Sequence, residues 1–196
     1  MSRMKLIVSL AVAVGILAPV RTMRAQSADN VLDAKSAAFI RQQYLNDMDT
    51  VHVKILALAH AIPADKYSWR PSAGVRSVSE VLMHIAGEWY WYGPKSVAGE
   101  APANFLKADE KAGAKLEGLE KTITSKDAVI AELTKSWTHC KAQIAGADAS
   151  KLTGRYKPWG VTLVEATLGM TGDQHEHLGQ LIAYARANNI KPPWSK

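Results

Sequence analysis

Residues 161–189 read VTLVEATLGMTGDQHEHLGQLIAYARANN and carry the clearest helical pattern of the chain. Apolar side chains recur every three or four residues, which predicts an amphipathic helix with one face packed on a core. At about 100° per residue, His177 falls within the apolar face and Asp173 lies about 40° to one side of it. His175 projects about 160° away from His177, towards solvent or a flank. The helix therefore directs one carboxylate and one imidazole inward.

This inward polar pair has two interpretations. Burial of an unpaired carboxylate and an unpaired imidazole is costly, and a cation bound by Asp173 and His177 would compensate both. The two side chains lie one helical turn apart, so they could instead hydrogen-bond each other in a metal-free bundle. A third ligand elsewhere in the chain would favour the metal, and His84 is the candidate.

His84 lies in a second amphipathic segment, residues 77–92, which reads SVSEVLMHIAGEWYWY. It borders the apolar face of the predicted helix. Glu88, one turn later, lies on the same border and could orient the His84 ring or bind a metal directly. Gln180 and Tyr184 of the last helix are further candidates for supporting groups. The candidate metal site therefore consists of three ligand-type residues on two helices: His84, Asp173 and His177.

Four long segments with helical periodicity dominate the chain, and no alternating strand pattern competes with them. They cover roughly residues 31–61, 77–93, 125–146 and 161–189. The lysine-rich stretch that joins the second segment to the third also contains acidic residues, which predicts a solvated loop with a short helix. The sequence thus predicts an all-α, four-helix bundle, whose interior can hold a site built from facing helices.

Residues 1–25 have the features of a secretory signal peptide. Two basic residues precede an apolar run from Leu6 to Val20, and Ala25 precedes the expected cleavage point. The run is shorter than the about 20 residues that a membrane span needs, so cleavage is expected, with an uncleaved N-terminal anchor as the alternative. We expect residues 26–196 to form one domain that is exported, periplasmic or secreted, with no stable membrane span after cleavage.

Charge and cysteine content narrow the function further. The chain has 24 basic and 18 acidic residues, but residues 1–25 contain four of the basic residues and no acidic residue. The mature chain therefore has 20 basic against 18 acidic residues, which removes most of the argument for a nucleic-acid partner. The expected partner is a small-molecule substrate or ligand, and a homodimer is left open. Cys140, the single cysteine, excludes an internal disulfide framework and fits a small core residue.

Three features of the chain carry a family resemblance: KYSWRPSAGVRSVSEVLMHIAGE at 66–88, HLGQLIAYARANNIKPPWS at 177–195, and the order of the four helices. In these features the chain resembles the DinB-like superfamily of metal-binding four-helix bundles. Members typically bind a divalent metal through one histidine on the second helix and two histidines spaced H-x-x-x-H on the fourth. By this resemblance His84 and His177 match two ligands, and Asp173 stands where the third histidine is expected. Two imidazoles and one carboxylate suit a divalent ion such as Zn, Ni, Mn or Fe.

Two classes of function follow from such a site. Three protein ligands leave a coordination position open for water or substrate. Characterised members of the family include thiol-dependent transferases and isomerases, so the resemblance implies a metal-dependent transferase. Hydrolysis is the simpler chemistry for an exported protein, because small thiol cofactors are largely cytoplasmic. The alternative is a non-catalytic bundle that binds a metal or small ligand, or serves as an interaction module.

Overall fold

The computed structural model describes residues 31–102, 105–107, 110–156 and 160–195. Within these residues the chain folds into helices, without a strand longer than the isolated bridge between Tyr156 and Val161. The α-helices are α1 (Ala34–Ala61), α2 (Val78–Tyr90), α3 (Ala112–Thr122), α4 (Lys126–Gly146) and α5 (Leu163–Ala187). The expected signal peptide, residues 1–25, lies outside the described residues. Among the helices described, none is both long and apolar enough to cross a membrane.

The four long helices α1, α2, α4 and α5 correspond to the four predicted segments, and α3 is the short helix predicted in the lysine-rich connection. The all-α bundle is therefore confirmed. α1 ends at Ala61 because Ile62, the residue before Pro63, adopts an extended conformation with φ −70° and ψ 124°. The chain then turns through a short 3-10 helix, Ala64–Lys66, and reaches the start of α2.

Capping boxes define the first turns of the two helices that carry the candidate site. At α2, the Ser77 hydroxyl accepts from the Glu80 amide at 3.3 Å, and Glu80 accepts from the Ser77 amide at 2.6 Å. Thr162 and Glu165 make the same reciprocal pair at α5, at 3.3 and 2.7 Å. Each box satisfies amides that a helix start leaves without a partner, so both helices begin at a fixed residue.

The core lies between the long helices, with α2 buried over most of its surface. Trp89 of α2 is fully buried between His52 of α1 and Trp137 of α4, with ring centroids 5.2 and 5.4 Å away. Cys140 of α4 is also fully buried, and a Cβ added at Gly93 would lie only 2.8 Å from its sulfur. Burial raises the pKa of the Cys140 thiol, so this cysteine is the core residue that the sequence predicts.

Candidate metal centre

Helices α2 and α5 bring His84, Glu88 and His177 together. One possible ligand atom from each residue lies within 4.8 Å of the other two. His84 Nε2 is 3.3 Å from Glu88 Oε1, and His177 Nε2 is 3.6 Å from Glu88 Oε2. The two imidazole rings meet edge to face, with centroids 5.0 Å apart. The Glu88 side chain, 10% exposed, therefore lies between two largely buried imidazoles.

Asp173 lies at the rim of the same cluster. Its Oδ1 atom is 3.7 Å from His177 Nε2, and its side chain is 40% exposed. The structure thus places Asp173 next to His177, with Glu88 as a second and more buried carboxylate, and the assignment of Asp173 as a ligand stays a prediction. His175 points to another surface, where its Nε2 lies 3.0 Å from Asp47 Oδ2 of α1.

The Nδ1 atom of each imidazole lies near a side-chain oxygen on the side of the ring away from Glu88 Oε1 and Oε2. His84 Nδ1 lies 2.9 Å from Glu120 Oε1 of α3. His177 Nδ1 lies 3.4 Å from Gln180 Oε1, and the Gln180 amide donates to the Tyr184 hydroxyl at 3.0 Å. Gln180 and Tyr184 therefore support His177, as the sequence suggested. Each Nδ1 faces an oxygen acceptor, so the neutral tautomer with its proton on Nδ1 satisfies these two contacts.

This arrangement leaves the centre of the cluster lined by acceptors. In a neutral imidazole with the proton on Nδ1, Nε2 carries a lone pair. The Nε2 atoms of His84 and His177 both face the Glu88 carboxylate, which is itself an acceptor. His177 Nε2 is buried and has no hydrogen-bond partner. A proton on each ring, or a bound cation, is needed to satisfy these atoms.

The residues fit a divalent metal ion in both spacing and chemistry. The imidazole nitrogens lie 3.3 and 3.6 Å from the two different oxygens of Glu88, and His177 Nε2 lies 3.7 Å from Asp173 Oδ1. With one ligand atom taken from each of His84, Glu88 and His177, the atoms lie within 4.8 Å of one another. Tetrahedral ligands at about 2.1 Å from a zinc ion are about 3.4 Å from one another. Two imidazole nitrogens with one or two carboxylates form a mixed ligand set that suits Zn, Ni, Mn or Fe. The buried His177 Nε2, which has no hydrogen-bond partner and lies next to two carboxylates, fits the role of a metal ligand.

The electrostatics of the cluster show how strongly it favours positive charge. Burial alone would raise the pKa of Glu88, but the neighbouring His177 and His84 imidazoles lower it to about 2. Glu88 in turn raises the pKa of His84. Burial opposes protonation of His177, but Glu88 and Asp173 outweigh it and raise the pKa of His177 too. Protons and a metal ion therefore compete for the same two Nε2 atoms.

Two contacting residues were not predicted from the sequence. Gln174, fully buried, donates its side-chain amide to Glu88 Oε2 at 2.6 Å and so holds the second carboxylate oxygen. Glu120 reaches His84 from α3, a helix that the sequence places in a solvated connection. The sequence gives one indication that Glu120 points towards α2: it lies four residues after Leu116, so the two side chains share one face of α3.

A cavity of about 530 Å³ lies beside His84 and Glu88, between α2, α3 and the loop that precedes α2. Its walls carry three ion pairs, and each pair joins a basic and an acidic side chain at 2.5–3.0 Å: Arg70 with Glu80, Arg76 with Glu120, and Lys121 with Glu117. Tyr92 and Leu116 add an aromatic and an aliphatic surface. The cavity is large enough for a small molecule next to the candidate ligands.

Comparison with known proteins identifies the family. The sequence model of the DinB superfamily matches residues 48–181, which is more than half of the chain and includes all the residues of the cluster on α2 and α5. The chain therefore belongs to the DinB superfamily. It is also similar to the uncharacterized protein YjoA of Bacillus subtilis (strain 168), with 29% identity over 130 residues. That alignment covers 66% of this chain and 78% of YjoA.

Proposed function

We propose that this protein is an exported, metal-dependent enzyme of hydrolase or thiol-transferase type that acts on a small molecule. His84 and His177 bind the divalent ion, with Asp173 and Glu88 as the carboxylates of the site. The observation that carries the proposal is the group of acceptor atoms around Glu88, above all the buried His177 Nε2 without a hydrogen-bond partner. Membership of the DinB superfamily supports the same reading.

The chain's own residues supply binding, orientation and proton transfer. Glu120 and Gln180 orient the two imidazoles, and Gln174 holds Glu88. Burial, and then the nearby Glu88 carboxylate, raise the pKa of Asp173, so its Oδ1 atom accepts a proton more readily than an ordinary aspartate does. A divalent ion supplies Lewis acidity, which polarises a substrate oxygen or makes a thiol more acidic.

The proposal that the protein is exported rests on the signal-peptide features of residues 1–25. An exported location favours hydrolysis over thiol transfer. Small thiols that serve as cofactors are largely cytoplasmic, whereas water is present in every compartment. The cavity beside His84 admits a small ester or amide as readily as a thiol acceptor, so its size does not choose between the two reactions. The choice therefore needs a substrate screen.

Metal analysis of protein purified without an affinity tag tests the proposal first. We expect about one divalent ion per chain, retained by His175→Ala and lost in His177→Ala, because the two histidines lie on opposite sides of α5. The metal-loaded protein is then screened with ester, amide and thiol-acceptor substrates, with His177→Ala as the inactive control. Equal rates for the two proteins would contradict an enzymatic role.

The second candidate is a non-catalytic bundle in which the cluster is a polar part of the core. It is favoured by the Glu88 carboxylate, which already lies within 3.3 Å of His84 and accepts a hydrogen bond from Gln174. In its metal-free form this function predicts that the purified protein contains no metal and takes none up. In its metal-binding form it predicts stoichiometric metal without turnover of any substrate in the screen.

A further inference from the structure

Helix α3 packs against α2 beside the candidate metal centre, and two of its contacts lie next to His84. Leu116 packs over Gly87, where an added Cβ would lie 2.8 Å from the leucine Cδ2 atom. One turn later, Glu120 bridges two groups: its Oε1 is 2.9 Å from His84 Nδ1, and its Oε2 is 2.8 Å from Arg76 Nε. No residue of α3 is buried, although the Glu120 side chain is only 15% exposed.

The contact with Glu120 determines how His84 presents its other nitrogen. A carboxylate that accepts the Nδ1 proton fixes the tautomer and the orientation of an imidazole, and it makes Nε2 a stronger ligand. In this structure the oriented Nε2 atom is the one that faces Glu88. Since Glu120 is on α3, the orientation of a ligand on α2 depends on a helix that contributes no ligand of its own.

We propose that Glu120 is the positioning residue for His84, and that through it metal binding and the docking of α3 are coupled. The inference rests on the proposed metal site. A metal that favours the oriented His84 also favours the docked α3, and a docked α3 raises metal affinity by the same factor, because coupling between binding equilibria is reciprocal. Leu116, Glu120 and Lys121 of α3 line the cavity, so metal binding also organises the space offered to a substrate.

Metal titration of the purified protein tests the positioning role, with Co²⁺ as a spectroscopic probe and Zn²⁺ as its competitor. The variants are Glu120→Gln and Glu120→Ala, and Glu117→Gln is the matched control. Glu117 is on the same helix and carries the same charge, but it pairs with Lys121 rather than with His84. We expect Kd to rise about 10–100-fold in the Glu120 variants and to stay within about threefold of wild type in the control.

The visible spectrum of bound Co²⁺ separates positioning from a general loss of stability, because it reports the geometry of the ligands. We expect a changed spectrum in both Glu120 variants and an unchanged spectrum in Glu117→Gln. Arg76→Gln removes the second contact of Glu120 and leaves His84 in place. It should weaken metal binding by an intermediate factor.

Hydrogen exchange tests the coupling. Zn²⁺ should slow amide exchange across residues 116–122 of α3 in wild type and in Glu117→Gln, and should have no such effect in Glu120→Ala. If Glu120→Ala does not fold, the isosteric Glu120→Gln and the wild-type exchange data still decide the question.

The outcomes separate this inference from the proposed function. A wild-type protein that binds neither Co²⁺ nor Zn²⁺ overturns both. A wild-type protein that binds metal, with Glu120 variants equal to Glu117→Gln in Kd and in Co²⁺ spectrum, overturns the positioning role and leaves the metal site standing. Exchange of α3 that does not respond to Zn²⁺ in wild type overturns the coupling.

Discussion

Replacement of Glu88 by glutamine should destabilise the metal-free protein by a magnitude that the site predicts. The pKa of Glu88 falls from an ordinary 4.5 to about 2 in the folded protein. At 1.36 kcal/mol per pKa unit, the ionised carboxylate contributes about 3 kcal/mol to the free energy of unfolding. Glu88→Gln keeps the size of the side chain, replaces one acceptor oxygen by an amide donor and removes the charge, so it should remove most of this contribution.

The effect depends on pH in a definite direction. A lowered carboxylate pKa contributes stability that is present above 4.5 and is lost as the pH falls towards 2. Raised pKa values of His84 and His177 contribute stability that is present below 6.5 and is lost as the pH rises through their folded-state values. The cluster therefore stabilises the metal-free protein most between about pH 4.5 and 6.5.

Urea denaturation in the presence of a chelator measures the contribution of the Glu88 charge to the free energy of unfolding at each pH. At pH 5.5 we expect Glu88→Gln to lower the free energy of unfolding by about 3 kcal/mol, with a smaller loss at pH 8, where the rings lose their extra protons. Glu176→Gln, an exposed glutamate on α5, is the control and should stay within about 0.5 kcal/mol of wild type. Equal stabilities of Glu88→Gln and Glu176→Gln at pH 5.5 would refute the charge interaction between Glu88 and the two imidazoles.

Three further predictions follow from other parts of the chain. Equilibrium dialysis should show that Asp173→Ala lowers metal affinity and Asp173→His retains it, while His175→Ala has no effect; release of the metal by His175→Ala alone would show that the ligands on α5 are assigned to the wrong face. Intact-mass analysis of the protein from its native envelope should show Gln26 as the first residue, and a mass that retains residues 1–25 in the membrane fraction would indicate an anchor instead. Gly87→Ala should displace the α3 leucine above it and speed amide exchange in α3, and unchanged exchange would mean that this contact does not hold the helix.

The fold and the inward positions of His84 and His177 could be predicted from the sequence, because helical periodicity indicates the direction of each side chain as well as the helix itself. The apolar face of residues 161–189 sets the rotation of α5, and His177 shares that face while His175 lies opposite. The same argument places His84 on the border of the α2 face. These directions depend on spacing along a single helix, and such information is local.

Glu120 and Gln174 could not be assigned in this way. Glu120 lies 36 residues from His84, and in composition nothing distinguishes it from Glu117, which has the same charge on the same helix. Only the docking of α3 on α2 determines that Glu120 contacts His84 while Glu117 pairs with Lys121. Gln174 is buried because α5 packs against α2 as well as α1. The buried part of the α5 surface is therefore wider than its apolar face.

The acceptor atoms around Glu88 also bear on whether the cluster holds a metal ion or is a metal-free polar part of the core. Above the folded-state pKa of the rings, a metal-free bundle leaves Nε2 lone pairs against a carboxylate, and each unsatisfied buried polar group costs about 1–3 kcal/mol. Apolar side chains of similar volume would avoid that cost, and such replacements often stabilise a protein. A divalent ion satisfies His84, Glu88 and His177 together, and Asp173 is near enough to join them. The cluster is therefore better explained as a set of metal ligands than as a structural support for the bundle.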